Sequence, residues 1–238
     1  MKIALIGYGK MGRMIHEIAR SRNYNIICII DEDNRKETDP DKFREADVAF
    51  EFTGPESAVA NIIYSFKKQV PVVSGTTGWL DKWEYIREQC KKYNGSLFYA
   101  SNFSLGVNLL FRINKILAEL IEPFGQYRPQ IEEIHHVNKL DAPSGTAISL
   151  ANQIIENNKN VNTWKLNPYG EKDPLPVFSI REGAVTGTHT VSYVSDIDKI
   201  TIQHEAFNRK GFATGAMAAA EFLVGKKGIF SMDDLLFQ

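Results

Sequence analysis

The sequence predicts an α/β protein in two parts: a parallel sheet wound with helices, then a smaller α+β domain on an antiparallel or mixed sheet. Three observations carry this. Short apolar runs alternate with helical patterns through about the first hundred residues, the form of repeated βα units. The first apolar run ends in a glycine-rich turn at Gly7. After Asn108 the pattern changes to one long helical segment followed by runs of period two.

Candidate strands cover 2–6, 25–30, 48–52, 70–74 and 97–100. Met11, Ile15, Ile18 and Ala19 repeat at helical spacing and mark a core face. Val59, Ile62 and Phe66 do the same in a second helix, and Trp83, Ile86 and Cys90 in a third. In the second part a helical pattern runs to Leu120. Ile200 and Ile202 alternate with Lys199, Thr201, Gln203 and Glu205, as in a strand with one buried and one polar face, and 177–181 and 188–195 can pair with it. The stretch 157–176 is rich in Asn, Lys and Pro, lacks periodicity and reads as a solvated surface loop. From Thr214 a small-residue helix carries Met217, Ala220 and Leu223, and a Ser-x-x-Asp capping pattern at Ser231 precedes Leu235 and Leu236. The sequence has no internal repeat.

A chain of 238 residues buries roughly three quarters of its unfolded surface, so such a core needs no disulfides. Cys28 sits in an apolar run and Cys90 in a charged helical stretch, neither with metal-ligand spacing around it, which suggests a reducing compartment. The run 2–6 is too short for a secretory core and ends in a glycine turn rather than a cleavage site. No apolar stretch approaches the ~20 residues of a membrane span. A net charge of -1 gives no general attraction to nucleic acid or anionic lipid. The expectation is a cytoplasmic protein acting on small molecules, with no nucleic-acid or membrane partner.

Gly7-Tyr8-Gly9-Lys10-Met11-Gly12 has the G-x-G-x-x-G form, and its context makes it a dinucleotide turn: a strand precedes it, a helix opens near Lys10, and Asp31 closes the next strand. Gly7 permits the tight turn, Gly9 lets a pyrophosphate approach the backbone, Gly12 allows close packing of helix on sheet, and the helix N-terminus offers amides to the anion. Asp31 can accept two hydrogen bonds from an adenosine ribose, which favours NADH over NADPH. Arg35 and Lys36 lie close enough along the loop to meet a 2′-phosphate, and they fit a solvated loop equally well, so both cofactors stay open. Phe52-Thr53-Gly54-Pro55 and Gly75-Thr76-Thr77-Gly78 follow strands on the same carboxyl edge and offer amides and hydroxyls to a nicotinamide and its ribose. Ser101, Asn102 and Phe103 follow the last strand and could form a hinge or a floor for the nicotinamide.

The strongest constellation is His135-His136-Val137-Asn138-Lys139-Leu140-Asp141-Ala142-Pro143-Ser144-Gly145-Thr146, after a strand and before a helical run. Ser144 is a good N-cap, and Gly145 and Thr146 open the helix with free amides on which a carboxylate could dock. Lys139 supplies a cation, and a histidine can transfer a proton near neutral pH, which together make an acid-catalysed reduction site. A histidine pair is also found as a satisfied core feature or a metal fragment. No metal is expected, because adjacent histidines on a strand point to opposite faces and no Cys or third spaced His completes a tetrahedral set. The same geometry gives His135 and His136 different roles.

These residues resemble the 4-hydroxy-tetrahydrodipicolinate reductase family, also called dihydrodipicolinate reductase, of the diaminopimelate and lysine pathway. The resemblance covers almost the whole chain: the glycine turn, Phe52-Thr53, Gly75-Thr76-Thr77-Gly78, the segment from Asn102 to Asn108, the His135 to Thr146 block, Arg181-Glu182-Gly183, Gly187-Thr188-His189 and Asn208-Arg209. It implies reduction of a cyclic conjugated imine dicarboxylate, formed by loss of water, with hydride from NADH or NADPH. His135 matches the general acid. His136, Lys139, Ser144, Gly145 and Thr146 match substrate-binding positions, with Lys139 also a candidate proton donor, and Arg209 matches a residue near the interdomain hinge.

The fold implied is a Rossmann-type parallel-sheet dinucleotide-binding domain from both chain ends, 1–106 and 210–238. It encloses a smaller α+β domain, 107–209, for substrate binding and oligomerisation, whose open mixed sheet assembles a homotetramer. Closure of the domains would bring nicotinamide to substrate. The sequence departs from the family's commonest form in three places: the glycine turn is one residue shorter, Val137-Asn138 replace Arg-His, and Asp31-Glu32 replace an acidic residue followed by a basic one. Another nicotinamide enzyme on the same scaffold, or a silent dinucleotide sensor, would keep the turn. The intact block from His135 to Thr146 argues against both.

Overall fold

A computed structural model describes residues 1–31, 39–168 and 174–237. It divides into two compact units, Met1–Ser104 with Lys210–Gln238, and Leu105–Arg209. In chain order the first unit begins with β1 (Lys2–Ile6), α1 (Lys10–Ser21), β2 (Asn25–Ile30), α2 (Pro40–Arg44), β3 (Val48–Glu51), α3 (Pro55–Lys67), β4 (Val72–Ser74), α4 (Trp83–Tyr93) and β5 (Ser96–Tyr99). The second holds α5 (Leu105–Ile121), β6 (Arg128–His135), α6 (Gly145–Asn157), β7 (Trp164–Leu166), β8 (Leu175–Arg181), β9 (Thr188–Val194) and β10 (Lys199–Glu205). The chain then returns to the first unit with α7 (Lys210–Leu223), β11 (Gly228–Phe230) and α8 (Met232–Leu236).

The first unit carries a six-stranded sheet in the order β11-β5-β4-β3-β1-β2, with every pair parallel. Ile3, Ala4 and Leu5 are fully buried, the near-continuous apolar run expected of a strand covered on both faces. Helix α1 turns Gly12, Ile15 and Ala19 inward, α3 turns Ile62 and Phe66, and α4 turns Ile86 and Cys90. The strand order reverses between β1 and β3, which opens a crevice at their carboxyl ends.

Strand bounds differ from the sequence pattern by one or two residues in several places, β5 for example running Ser96–Tyr99, and two of the shifts have identifiable reasons. β4 starts at Val72 rather than at residue 70, because Pro71 brings no N–H to the ladder and serves only as acceptor, from Ala49 N–H at 2.7 Å. β3 ends at Glu51, after which Phe52 N–H still reaches Ile6 O at 2.9 Å as the chain leaves the sheet.

The second unit carries a five-stranded mixed sheet, β10-β9-β6-β8-β7, with β6, β8 and β7 parallel and β9 antiparallel to both β6 and β10. Ile131, Val177, Val191 and Tyr193 share one face and pack against Leu110 and Ala118 of α5 and Leu150, Ala151 and Ile154 of α6. On the opposite face Ile134 and Phe178 are half-buried and Ile180 is 38% exposed.

Two expectations are corrected here. The stretch 157–176 is not wholly loop: Trp164–Leu166 forms the edge strand β7 and β8 already begins at Leu175. Three residues are too few to display a period. Ile200 and Ile202 do share the helix-facing side of β10, opposite Tyr193 and Val191, but Ile200 is 36% exposed because β10 is the sheet's other edge.

Candidate active site

The glycine turn is fixed by close backbone packing. Gly7 has φ +93°, and a Cβ there would lie 2.2 Å from Phe52 O; a Cβ on Gly12 would lie 2.3 Å from Gly7 O. Both positions exclude any larger residue. At Gly9 no described atom lies within 4 Å of a Cβ position, the open space that an approaching pyrophosphate needs. Lys10 is exposed and Met11 half-buried at the start of α1. Asp31 is exposed at the end of β2, whereas Arg35 lies outside the described residues.

The loops after β3 and β4 are tied to one another by a buried carboxylate that the sequence reading missed. Glu51 is fully buried and accepts from Ser74 Oγ at 2.6 Å, from Thr76 Oγ1 at 3.0 Å and from Thr53 Oγ1. Thr53 N–H donates to Thr76 Oγ1 at 2.9 Å. The hydroxyls of Thr53 and Thr76, which the sequence offered to the cofactor, are thus committed to Glu51, and the amides of Thr53 and Gly75 to Thr76 Oγ1 and Glu51 O; Thr77 and Ser101 remain exposed. Phe103 is 3% exposed, its ring 5.8 Å from that of Phe52 and its carbonyl packed against Gly215 of α7, so it is core rather than a floor for the nicotinamide. Glu51→Ala is expected to weaken dinucleotide binding about 10-fold by leaving three hydroxyls without their buried acceptor. Calorimetric titration checks this, and unchanged affinity would detach the Glu51 network from the dinucleotide edge.

The second constellation is assembled by strand register. Glu133 on β6 stands opposite Ser179 on β8 and His189 on β9, and one row further His135 stands opposite Arg181. All five face the helix layer, where the start of α6 reaches them. Ser144 caps α6, accepting from Ala147 N–H at 3.2 Å, while its own N–H donates to both carboxylate oxygens of Glu133 at 3.1 Å. Glu133 Oε1 also accepts from Ser179 Oγ at 2.6 Å and from Arg181 Nη2 at 3.3 Å. Arg181 also ties down the connecting loop through Asp141 O at 2.6 Å and Lys139 O at 3.4 Å. Lys139 Nζ, in turn, donates to both oxygens of Asp141 at 2.7 Å.

The two adjacent histidines have separate surroundings. His135 is 7% exposed, with Nδ1 3.5 Å from Glu133 Oε2 and its ring edge-on to His189 at 5.0 Å. His136 is half-buried on the other side of the strand, its Nε2 3.4 Å from Arg209 Nη2. Burial pushes His135 below its ordinary 6.5, with Lys139 and Arg181 adding to that and Glu133 opposing it. Burial pushes His189 down to about 4, so it is neutral at pH 7, and its Nε2 lies 3.2 Å from Ser144 Oγ. Burial would raise Glu133, but the hydrogen bonds from Ser144 and Ser179 and the nearby His135 outweigh it and hold the carboxyl below the usual range.

The expectation of no metal rested on the lack of further ligands near the histidine pair, and that premise is corrected: Glu133, His135 and His189 offer ligand atoms within 4.8 Å of one another. The fold supplies what sequence spacing hid. The chemistry of the set nevertheless favours hydrogen bonding, since Glu133 already accepts from two Ser144 contacts, Ser179 and Arg181, and the guanidinium provides the compensating charge. Glu133, Ser179 and His189 were missed as site residues. Period two alone places Glu133 on the same face as His135, and that signal was available.

Two family models match the chain: "Dihydrodipicolinate reductase, N-terminus" over residues 1–103 and "Dihydrodipicolinate reductase, C-terminus" over residues 106–236. A 4-hydroxy-tetrahydrodipicolinate reductase of Christiangramia forsetii is 50% identical over 236 residues, covering 99% of this chain and 98% of that protein. Another, from Staphylococcus haemolyticus, is 34% identical over 249 residues, covering 99% of this chain and all of its own length, 100%. Among solved structures, a dipicolinate-bound dihydrodipicolinate reductase from Paenisporosarcina sp. TG-14 matches with a TM-score of 0.78 at 20% identity, over 100% of this chain and 99% of that one, a likeness of fold.

Proposed function

The chain belongs to the dihydrodipicolinate reductase family, and from that premise we propose that it reduces 4-hydroxy-tetrahydrodipicolinate to tetrahydrodipicolinate with NADH or NADPH, in diaminopimelate and lysine biosynthesis. The observation that carries this reading is the gathering of a buried histidine, a lysine and a capped helix N-terminus at one end of the second sheet.

A bound reduced nicotinamide supplies the hydride. Loss of water from the hydroxylated ring leaves a conjugated imine, and its reduction consumes one hydride and one proton. His135 delivers the proton, and Lys139 stands as a second donor. The Ser144 N–H is taken by Glu133, so the amides of Gly145 and Thr146 hold one substrate carboxylate at the start of α6, where the helix dipole favours an anion. Lys139 and His136 bind the remaining anionic edge. To reach a substrate carboxylate, Lys139 must exchange its bond to Asp141 for one to the ligand, a swap of like partners that costs little net charge pairing.

The dinucleotide lies on the Gly7-to-Gly12 turn and the loops at Thr53, Gly75 and Ser101. Asp31 supports a preference for NADH, with NADPH also accepted. No metal takes part in this scheme, in which Arg181 and Lys139 provide the positive charge. A homotetramer formed through the open face of the second sheet belongs to the same reading, supported by the exposure of Ile180 there. So does a cytoplasmic location; no described helix is long and apolar enough to cross a membrane.

The test couples the protein to the synthase that condenses pyruvate with aspartate semialdehyde and follows NADH and NADPH oxidation separately. Oxidation of both, faster with NADH, is the expected result. No oxidation with either cofactor overturns the assignment.

A further inference from the structure

The substrate site contains one fully buried carboxylate that touches no solvent and cannot reach a substrate: Glu133, at 0% exposure. Three donors converge on it from two parts of the fold: Ser144 N–H from the N-cap of α6, and Ser179 Oγ and Arg181 Nη2 from β8, while His189 on β9 stands by with Nε2 at 3.7 Å. By itself, a buried ion with these partners is consistent with a structural role alone. Its position relative to His135 says more. Nδ1 of His135 is buried, has no hydrogen-bond partner among the described residues, and lies 3.5 Å from Glu133 Oε2. A carboxylate there favours the proton on Nδ1 and leaves Nε2 as the nitrogen that exchanges protons with a ligand. Gly187 keeps that nitrogen accessible, since a Cβ at this residue would stand 3.1 Å from it.

We propose that Glu133 is a positioning residue for the reduction, one carboxylate that orients His135 through Nδ1 and at the same time anchors Ser144 N–H, so that proton donor and carboxylate cradle are held in a fixed relation. The proposal rests on the reading of the site given above and extends it to a residue that touches neither substrate nor cofactor. It has an electrostatic consequence. The charged and titratable groups facing His135 are Glu133 on its own strand, His189 on β9, Arg181 on β8, and Lys139 and Asp141 on the loop; His204 on β10 stands behind His189. Arg181, Lys139 and burial all disfavour the protonated imidazole. Glu133 is the nearest group that favours it.

The test is Glu133→Gln, which keeps size and removes charge. Turnover is expected to fall on the order of 10-fold or more, as for loss of an oriented acid. The descending limb of the kcat/KM against pH profile is expected to move to lower pH, because the imidazolium loses its supporting anion. NADH affinity is expected to stay at the wild-type value. A purely structural glutamate would lower thermal stability or the amount of active protein and leave the limb where it was; that outcome overturns the proposal. Histidine titration by NMR in the same variant reads the His135 shift without turnover, which separates failure of this proposal from failure of the assigned reaction. Should the glutamine variant not fold, Glu133→Asp decides: it keeps the charge but draws back from Ser144, so the limb should stay and KM for the dicarboxylate should rise several-fold. Wild-type kinetics in the aspartate variant overturn the proposal equally.

Discussion

Replacing His135 with alanine is expected to lower turnover by about 10²-fold or more while dinucleotide affinity stays near wild type, the usual scale for removing a positioned acid. The fold should survive the change. Glu133, which loses one neighbour, keeps Ser144, Ser179 and Arg181 as partners, so no buried charge is stranded. The pH dependence gives a sharper reading than the rate alone. A general acid acts in its protonated form, so activity is lost as pH rises through its pKa, and burial has moved that pKa of His135 below 6.5. The kcat/KM profile, which reports the free enzyme, should therefore descend below the ordinary histidine range. A dianionic substrate adds negative charge beside the ring and favours the protonated form, so the corresponding limb of kcat should lie at higher pH. In the alanine variant both limbs should flatten. Wild-type turnover with unchanged limbs would transfer the acid role to Lys139.

What the sequence displayed and what it concealed divide along a physical line. The Gly7-to-Gly12 turn and the His135-to-Thr146 block are local: consecutive residues carry the turn, the cap and the cation, and their geometry follows from short-range rules. The parallel sheet was legible for the same reason, because buried strands read as apolar runs and each is followed by an amphipathic helix. Register is not local. Nothing in the order of residues states that Ser179 and His189 flank Glu133, since that depends on β8 and β9 pairing with β6 on opposite sides. The same gap hid Glu51, whose partners Thr53, Ser74 and Thr76 come from two loops and a neighbouring strand. Buried carboxylates are the residues a polarity pattern misplaces most readily, because the pattern assigns charge to solvent. Ile200 failed in the opposite sense: its side of β10 does face the helices, but an edge strand has cover on one flank only.

Lys139→Ala is the second large effect expected, and here the loss should fall on substrate binding as well as turnover. Lys139 is not an exposed lysine with a diffuse charge: its side chain is 21% exposed and its Nζ bonds both oxygens of Asp141 at 2.7 Å. Hydrogen bonds to charged groups contribute about 1.5–3 kcal/mol, which corresponds to a rise in KM for the dicarboxylate of about 10- to 10²-fold. Removing the lysine also leaves the Asp141 carboxylate beside an incoming dianion, so repulsion adds to the lost attraction. The two contributions separate in a double variant. Adding Asp141→Asn to Lys139→Ala should recover part of the KM while leaving kcat low, because repulsion is relieved but the second proton donor is still absent. Full recovery of KM would mean that Lys139 serves only to neutralise Asp141. A change confined to NADH affinity would place Lys139 with the dinucleotide instead, against its position on the loop that Arg181 ties to the Glu133 and His135 face of the second sheet.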